Sequence, residues 1–208
     1  MNFVHYGEDY SNAISKIPAR ELEILRVEDD NHLLPCNPVC SDPEKPVRMA
    51  FFGINAYCND KDFPEAIKQQ NFIEWCQENY RANLKNVINL WVNGLPAEYT
   101  NQGAVYYSNL TKLVLREAYF KEASDLNRAF EETPHTKALF KSLFVQEVLA
   151  LKKGGCQVFV CFGSDTYDIA SQSLELEGVT FIKERHFSRY IANTTNGLIQ
   201  STKIQALA

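Results

Sequence analysis

With 208 residues, 45% of them hydrophobic and 23% charged, the chain has the length and composition of one globular domain with a sizeable core. Its formal net charge of -5 argues against broad nonspecific binding to nucleic acid, which needs a basic face, while leaving room for a local basic rim. No run approaches bilayer-spanning length, and Met1 is not followed by a basic segment and an apolar core, so a soluble, unsecreted protein of the cytoplasm (or nucleus, in a eukaryote) with no membrane partner is expected.

Residues 1–46 read as an extension packed on a domain that occupies 47–208. Tyr10 to Arg26 has helical apolar spacing at Ile14, Ile17, Leu22 and Leu25, interrupted at Pro18, whose ring cannot sit inside a helix. Val27 to Pro46 is rich in Asp, Asn and Pro and reads as loop. The six cysteines match no standard metal knuckle: Cys36 and Cys40 are close, while Cys58, Cys76, Cys156 and Cys161 are scattered. No disulfide framework, metal or cofactor is expected.

Val47 to Phe52 is an apolar run broken by Gly53, with a polar amide at Asn55. A continuous apolar run of this length suits a strand buried on both faces of a parallel sheet, and ligands of such sheets sit beyond the carboxyl ends of the strands. A polar loop with Phe63 and Pro64 follows, then a helix-rich region from Glu65 to Trp91 that ends at Asn93-Gly94 and Pro96. Ala104 to Leu110 reads as a second buried strand, and Leu113 to Glu132 as helix or ordered loop. Thr133-Pro134 opens a helix that Lys152-Lys153-Gly154 should close. Gln157 to Phe162 is the third strand. Gly163 turns the chain into a helix capped by Ser164 or Asp165 and ended near Glu177 by Gly178, and Val179 to Lys183 is the fourth strand. Four buried strands separated by helices predict a three-layer α/β/α sandwich around a short four-stranded parallel sheet.

Three of these strands are followed by polar clusters, at Asn55, Asn109 and His186, which parallel strands would bring to one edge. His5, His32 and His135 have nothing chemical around them. No Walker loop, dinucleotide-binding turn or serine elbow is present. The clusters do form an ordered series: Gly53-Ile54-Asn55-Ala56 after the first strand, Phe63-Pro64, Asn71-Phe72-Ile73-Glu74-Trp75, Tyr107-Ser108-Asn109-Leu110, Val160-Cys161-Phe162-Gly163 and His186-Phe187-Ser188. From about Val47 to Tyr190 this series resembles the uracil-DNA glycosylase superfamily. Ala56 and Phe187 stand where that family carries proline, and the four cysteines of its iron–sulfur branch are not found at their set spacings.

The resemblance implies a monofunctional DNA glycosylase acting on uracil or a related deaminated base flipped out of DNA, as a monomer with DNA as its partner and no cofactor. It implies that Asn55 positions the attacking water and that His186 hydrogen-bonds a base carbonyl as negative charge builds there. Asn109 would read the base edge, Phe63 would stack on the base, and Gly53, Ile54 and Tyr57 would shape the pocket. Ser188 would hold a phosphate, Arg189 and Tyr190 would fill the gap left by the flipped nucleotide, and Arg185, Arg189 and Lys183 would form the basic rim. Two other readings stay open at this point: a non-catalytic protein of the same fold that binds DNA or another protein, and an enzyme acting on free nucleosides or another small molecule.

Overall fold

The computed structural model describes residues 10–27, 36, 38–40, 42, 44–54, 57–58, 103–120 and 123–184. Its centre is a parallel sheet of β2 (Val47–Gly53), β4 (Ala104–Asn109), β6 (Val158–Phe162) and β7 (Phe181–Glu184), in the order β4-β2-β6-β7. Helices flank the sheet in a three-layer α/β/α arrangement, the fold class expected from the strand pattern. All residues of β4 and β6 are buried, and only Arg48 of β2 is partly exposed. That is why these strands read as unbroken apolar runs rather than alternating ones.

Two details depart from the sequence reading. β1 (Val39–Cys40), inside the stretch expected to be loop, adds an antiparallel edge strand to β4. Beyond the carboxyl ends of the main strands, β3 (Tyr57–Cys58) pairs in parallel with β5 (Leu115–Arg116) to make a second, two-stranded sheet. Strands of two residues carry no periodicity that a sequence could reveal.

One face of the sheet packs on α4 (Pro134–Lys153) and α5 (Ser164–Ser171). Ala50, Phe52, Tyr106, Phe159 and Cys161 meet Phe144, Val148 and Leu151 of α4 and Ala170 of α5. Phe52 and Phe144 make an edge-to-face pair with centroids 5.1 Å apart. On the opposite face Phe51 stacks on Phe162 at 5.7 Å. A second apolar cluster joins Tyr10, Ile14, Ile17, Leu25 and Val27 to α2 (Glu117–Phe120), α3 (Ala123–Glu132) and Phe140 of α4. Residues 10–27 are therefore part of the packed structure. Residues 10–14 are helical, and Pro18 ends up as the N-cap of α1 (Ala19–Ile24), consistent with the interruption expected there.

Glu21 fastens this segment. Its carboxylate accepts hydrogen bonds from the N–H of His135 (3.1 Å) and of Thr136 (2.7 Å), and from the Thr136 hydroxyl (2.6 Å). The two N–H groups belong to the first turn of α4, which Thr133 leaves uncapped because its hydroxyl donates to Ala129 O instead. Burial alone would raise the Glu21 pKa, but these three hydrogen bonds and the nearby His135 hold it below the usual carboxylate value.

Of the two expected helix ends, the stop of α4 is met and the capping of α5 is corrected. α4 does stop after Lys153, but Gly154 is the C-cap in right-handed geometry and Gly155 takes the left-handed turn at φ 93°. Cys156 N–H then bonds Leu151 O and Gly155 N–H bonds Lys152 O, the pattern of a Schellman motif. At the other end of β6, the N-cap of α5 is Gly163 (φ 88°), not Ser164 or Asp165. α5 finishes at Ser171, and a short 3-10 turn, Leu174–Leu176, leads into β7.

Candidate functional site at the carboxyl edge of the sheet

Parallel pairing lines up the carboxyl ends of the strands. Gly53 lies opposite Asn109, Phe52 opposite Cys161, and Phe162 opposite Glu184. The chain leaves β2 toward β4 on one side, and β6 and β7 are added on the other. The strand order thus reverses between β2 and β6, and in open α/β sheets a ligand crevice forms at such a reversal.

Of the sequence-predicted site residues, the structure brings Gly53, Ile54 and Asn109 together. A Cβ on Gly53 would fall against Oδ1 of Asn109 and only 2.7 Å from the Tyr107 hydroxyl, so the missing side chain is what lets the Asn109 amide lie flat on β2. Backbone bonds carry the pairing past the strand ends: Leu110 N–H donates to Gly53 O (2.8 Å) and Thr111 N–H to Ile54 O (3.0 Å). The Tyr57 backbone sits in β3, opposite Leu115. Asn55, Phe63, Arg185, His186, Ser188, Arg189 and Tyr190 lie outside the described residues, as does the helix-rich region 65–91. Asn55 follows Gly53 by two positions in sequence, and His186 follows Glu184 by two. Lys183 is exposed, with Nζ over the Tyr167 ring at 5.4 Å.

Asn109 is 2% exposed, and its amide is held from both sides. The Tyr107 hydroxyl donates to Oδ1 (3.1 Å), and Nδ2 donates to the Cys36 sulfur (3.3 Å). An amide has two acceptor lone pairs and two N–H donors, so each end keeps one bonding position beyond these contacts. Burial pushes the Cys36 thiol up to about 11, so it meets Asn109 as a neutral thiol at physiological pH.

Behind Asn109 lies a charged network that the sequence reading passed over. Lys112 and Glu147 are both fully buried and form an ion pair at 2.6 Å. Lys112 Nζ also donates to Ser108 Oγ (2.9 Å) and to the backbone carbonyl of Asn109 (2.5 Å). The other carboxylate oxygen of Glu147 accepts a hydrogen bond from the Tyr106 hydroxyl. The Tyr10 ring covers the ammonium, with its centroid 4.9 Å from Nζ. All three ammonium protons and both carboxylate oxygens have partners, which is what a buried ion pair requires.

At the carboxyl end of β6, Gly163 N–H donates to Glu184 O (2.7 Å), tying β7 to the turn that opens α5. Thr166, in the first turn of α5, is fully buried, and its hydroxyl has no hydrogen-bond partner among the described residues. A glycine with a positive φ between a buried strand and a helix could have drawn attention to this turn from sequence; nothing in the sequence signals the Thr166 hydroxyl.

A separate open groove of about 400 Å³ runs between α1 and the α2–α3 pair. It is lined by Arg26, Arg128 and Tyr119 and also by Glu23, Asp125 and Glu132, so its two cations face three carboxylates and it offers no basic surface, and it contains none of the sequence-predicted site residues. Arg26 and Arg116 stack on the Tyr119 ring at 5.5 and 5.7 Å. Among the described residues, no group of His, Cys, Asp and Glu side chains is arranged to hold a metal ion, and no helix is long and apolar enough to cross a membrane. The chain matches no protein-family model, no curated protein and no solved structure.

Proposed function

We propose that this chain is a monofunctional DNA glycosylase that hydrolyses the N-glycosidic bond of uracil or a related deaminated base flipped out of DNA. The observation that carries the reading is the pairing of Gly53 with Asn109 at the carboxyl edge of the sheet, beside the reversal of strand order. The two sequence clusters that a base pocket would need as neighbours are neighbours there.

Cleavage of a base from deoxyribose passes through a cation-like sugar and a departing base anion, so the enzyme has to place a water and stabilise the leaving group. In this reading Asn55 orients the water. An amide is a weak base, so most of the rate must come from the leaving-group side, where His186 donates a hydrogen bond to the base carbonyl. The acceptor and donor positions that Asn109 retains complement the N3–H and O4 edge of uracil. Phe63 stacks on the extruded base. Arg185, Ser188, Arg189 and Tyr190 contact the DNA backbone and the gap left in the duplex.

The test is formation of abasic sites in oligonucleotides carrying uracil, hypoxanthine or xanthine, single- and double-stranded. Cleavage of at least one substrate that falls sharply in Asn55→Ala and His186→Ala supports the reading. Absence of cleavage on all of them with purified protein overturns it.

The 2% exposure of Asn109 favours a second reading, a non-catalytic protein of this fold that binds DNA or another protein. Binding to uracil-containing or abasic DNA without product, unchanged by Asn55→Ala, would select it.

A further inference from the structure

We propose that Lys112, held by Glu147, is a positioning residue for the candidate site: it fixes the end of β4 that presents Asn109 and, through β4, the Gly53–Ile54 segment that leads to Asn55. The proposal rests on the glycosylase reading for what the site does, and on the buried network for how it is held.

A buried ion pair is a poor way to gain stability. Desolvating both charges offsets most of their attraction, and apolar side chains of similar volume often serve as well or better. What a buried ammonium supplies that an apolar side chain cannot is direction, because each of its three N–H bonds needs an acceptor. Here all three acceptors are present. Ser108 Oγ and Asn109 O are the last two residues of β4, and Glu147 Oε2 belongs to the middle of α4. Glu147 in turn receives the Tyr106 hydroxyl, so three of the last four residues of β4 are tied to one point on one helix.

The constraint then passes to β2. Leu110 and Thr111, which connect Asn109 to Lys112, donate their N–H groups to Gly53 O and Ile54 O. A shift of Lys112 would therefore move the Asn109 amide and the backbone immediately before Asn55 together. Catalytic geometry is sensitive to such shifts: a displacement of about 1 Å can cost on the order of a hundredfold in rate.

The test uses the full chain with both charges removed, Lys112→Met with Glu147→Leu, so that neither partner is left buried and unpaired. Two readouts are taken: hydrogen exchange of the Leu110 and Thr111 amides, with β6 amides as the internal control, and kcat against KM on a uracil-containing oligonucleotide. The expected result is a folded protein in which exchange at Leu110 and Thr111 is at least about tenfold faster while β6 is unchanged. Alongside it, kcat should fall by about a hundredfold with KM within about threefold of the parent, because DNA affinity depends on groups elsewhere. Unchanged exchange at Leu110 and Thr111, or a kcat close to that of the parent, would overturn the proposal. If the parent itself has no turnover, the glycosylase reading fails, and the exchange measurement still decides whether Lys112 holds this edge. If the double variant does not fold, Ser108→Ala, which removes one acceptor of Nζ, carries the same two readouts. Faster exchange and lower kcat support the proposal, and no change in either overturns it.

Discussion

Oε2 of Glu21 accepts hydrogen bonds from both the N–H and the hydroxyl of Thr136, a residue that follows it by 115 positions. A carboxylate from the N-terminal segment thus caps the longest helix among the described residues, a role its own Thr133 does not fill. Replacing it by the neutral isostere, Glu21→Gln, should cost about 1–2 kcal/mol at neutral pH, the usual worth of a helix cap. The folded-state pKa of Glu21 is lowered, so its contribution is complete above the unfolded carboxylate value of 4.5 and is lost as pH falls through the lower folded value. Urea denaturation of parent and variant at pH 7 and at pH 3 should show two separated midpoints converging at the lower pH. Midpoints equally far apart at both would refute the assignment.

Gly53→Ala places a methyl group against the Asn109 amide and the Tyr107 hydroxyl. One of the two must move, and overpacking of this kind costs about 1–3 kcal/mol. Chemical denaturation gives the stability loss, and a crystal structure of the variant should show Asn109 rotated away from Tyr107. A variant as stable as the parent, with Asn109 in place, would mean that the contact yields easily.

The adjacent glycines at the end of α4 should respond in opposite ways. Gly155 has φ 93° and a Cβ there would meet Arg48 Nη1 at 3.1 Å, so Gly155→Ala should destabilise by about 1–2 kcal/mol. Gly154 is in right-handed geometry at φ -75°, where alanine fits, and Gly154→Ala should be neutral or stabilise by up to about 1 kcal/mol. Thermal melts of the two variants side by side are sufficient, and equal effects would contradict the backbone assignment.

The thiols offer a chemical check on the core. Burial pushes Cys36 up to about 11 and Cys156 and Cys161 up to about 12, so all three should be inert to thiol reagents at pH 8 until the protein unfolds. Because these pKa values are raised from 9.0, the stability they carry is whole below pH 9 and is lost as pH rises toward 11 and 12. Site-resolved labelling by mass spectrometry, native against denatured, tests this. Rapid native modification of Cys36 would show that its buried contact with Asn109 opens in the folded protein.

Much of this fold was legible because burial on both faces leaves a direct mark in sequence. The four parallel strands fall within two residues of their expected bounds, and Pro134 and Pro18 sit at helix starts as their fixed φ requires. Gly53 and Asn109 could be marked as candidate site residues because each stands at the end of an apolar run. Lys112, Glu147 and Glu21 could not. A charged side chain looks the same in sequence whether it faces water or a partner, and their partners arrive only when distant segments meet. Gly163 capping α5 was missed for a related reason, since Ser164 and Asp165 are better capping residues by type and only the turn geometry decides against them.

The central strand also sets an order for biosynthesis. β2 takes its second neighbour, β6, through pairs such as Met49 with Val158, so a chain emerging from the ribosome exposes an apolar strand with one open edge until Val158–Phe162 has been made. Unpaired edges of that kind recruit strands from other chains. Proteins truncated between α4 and β6 should therefore accumulate as aggregates, and slow translation across that interval would put the nascent chain at its greatest risk.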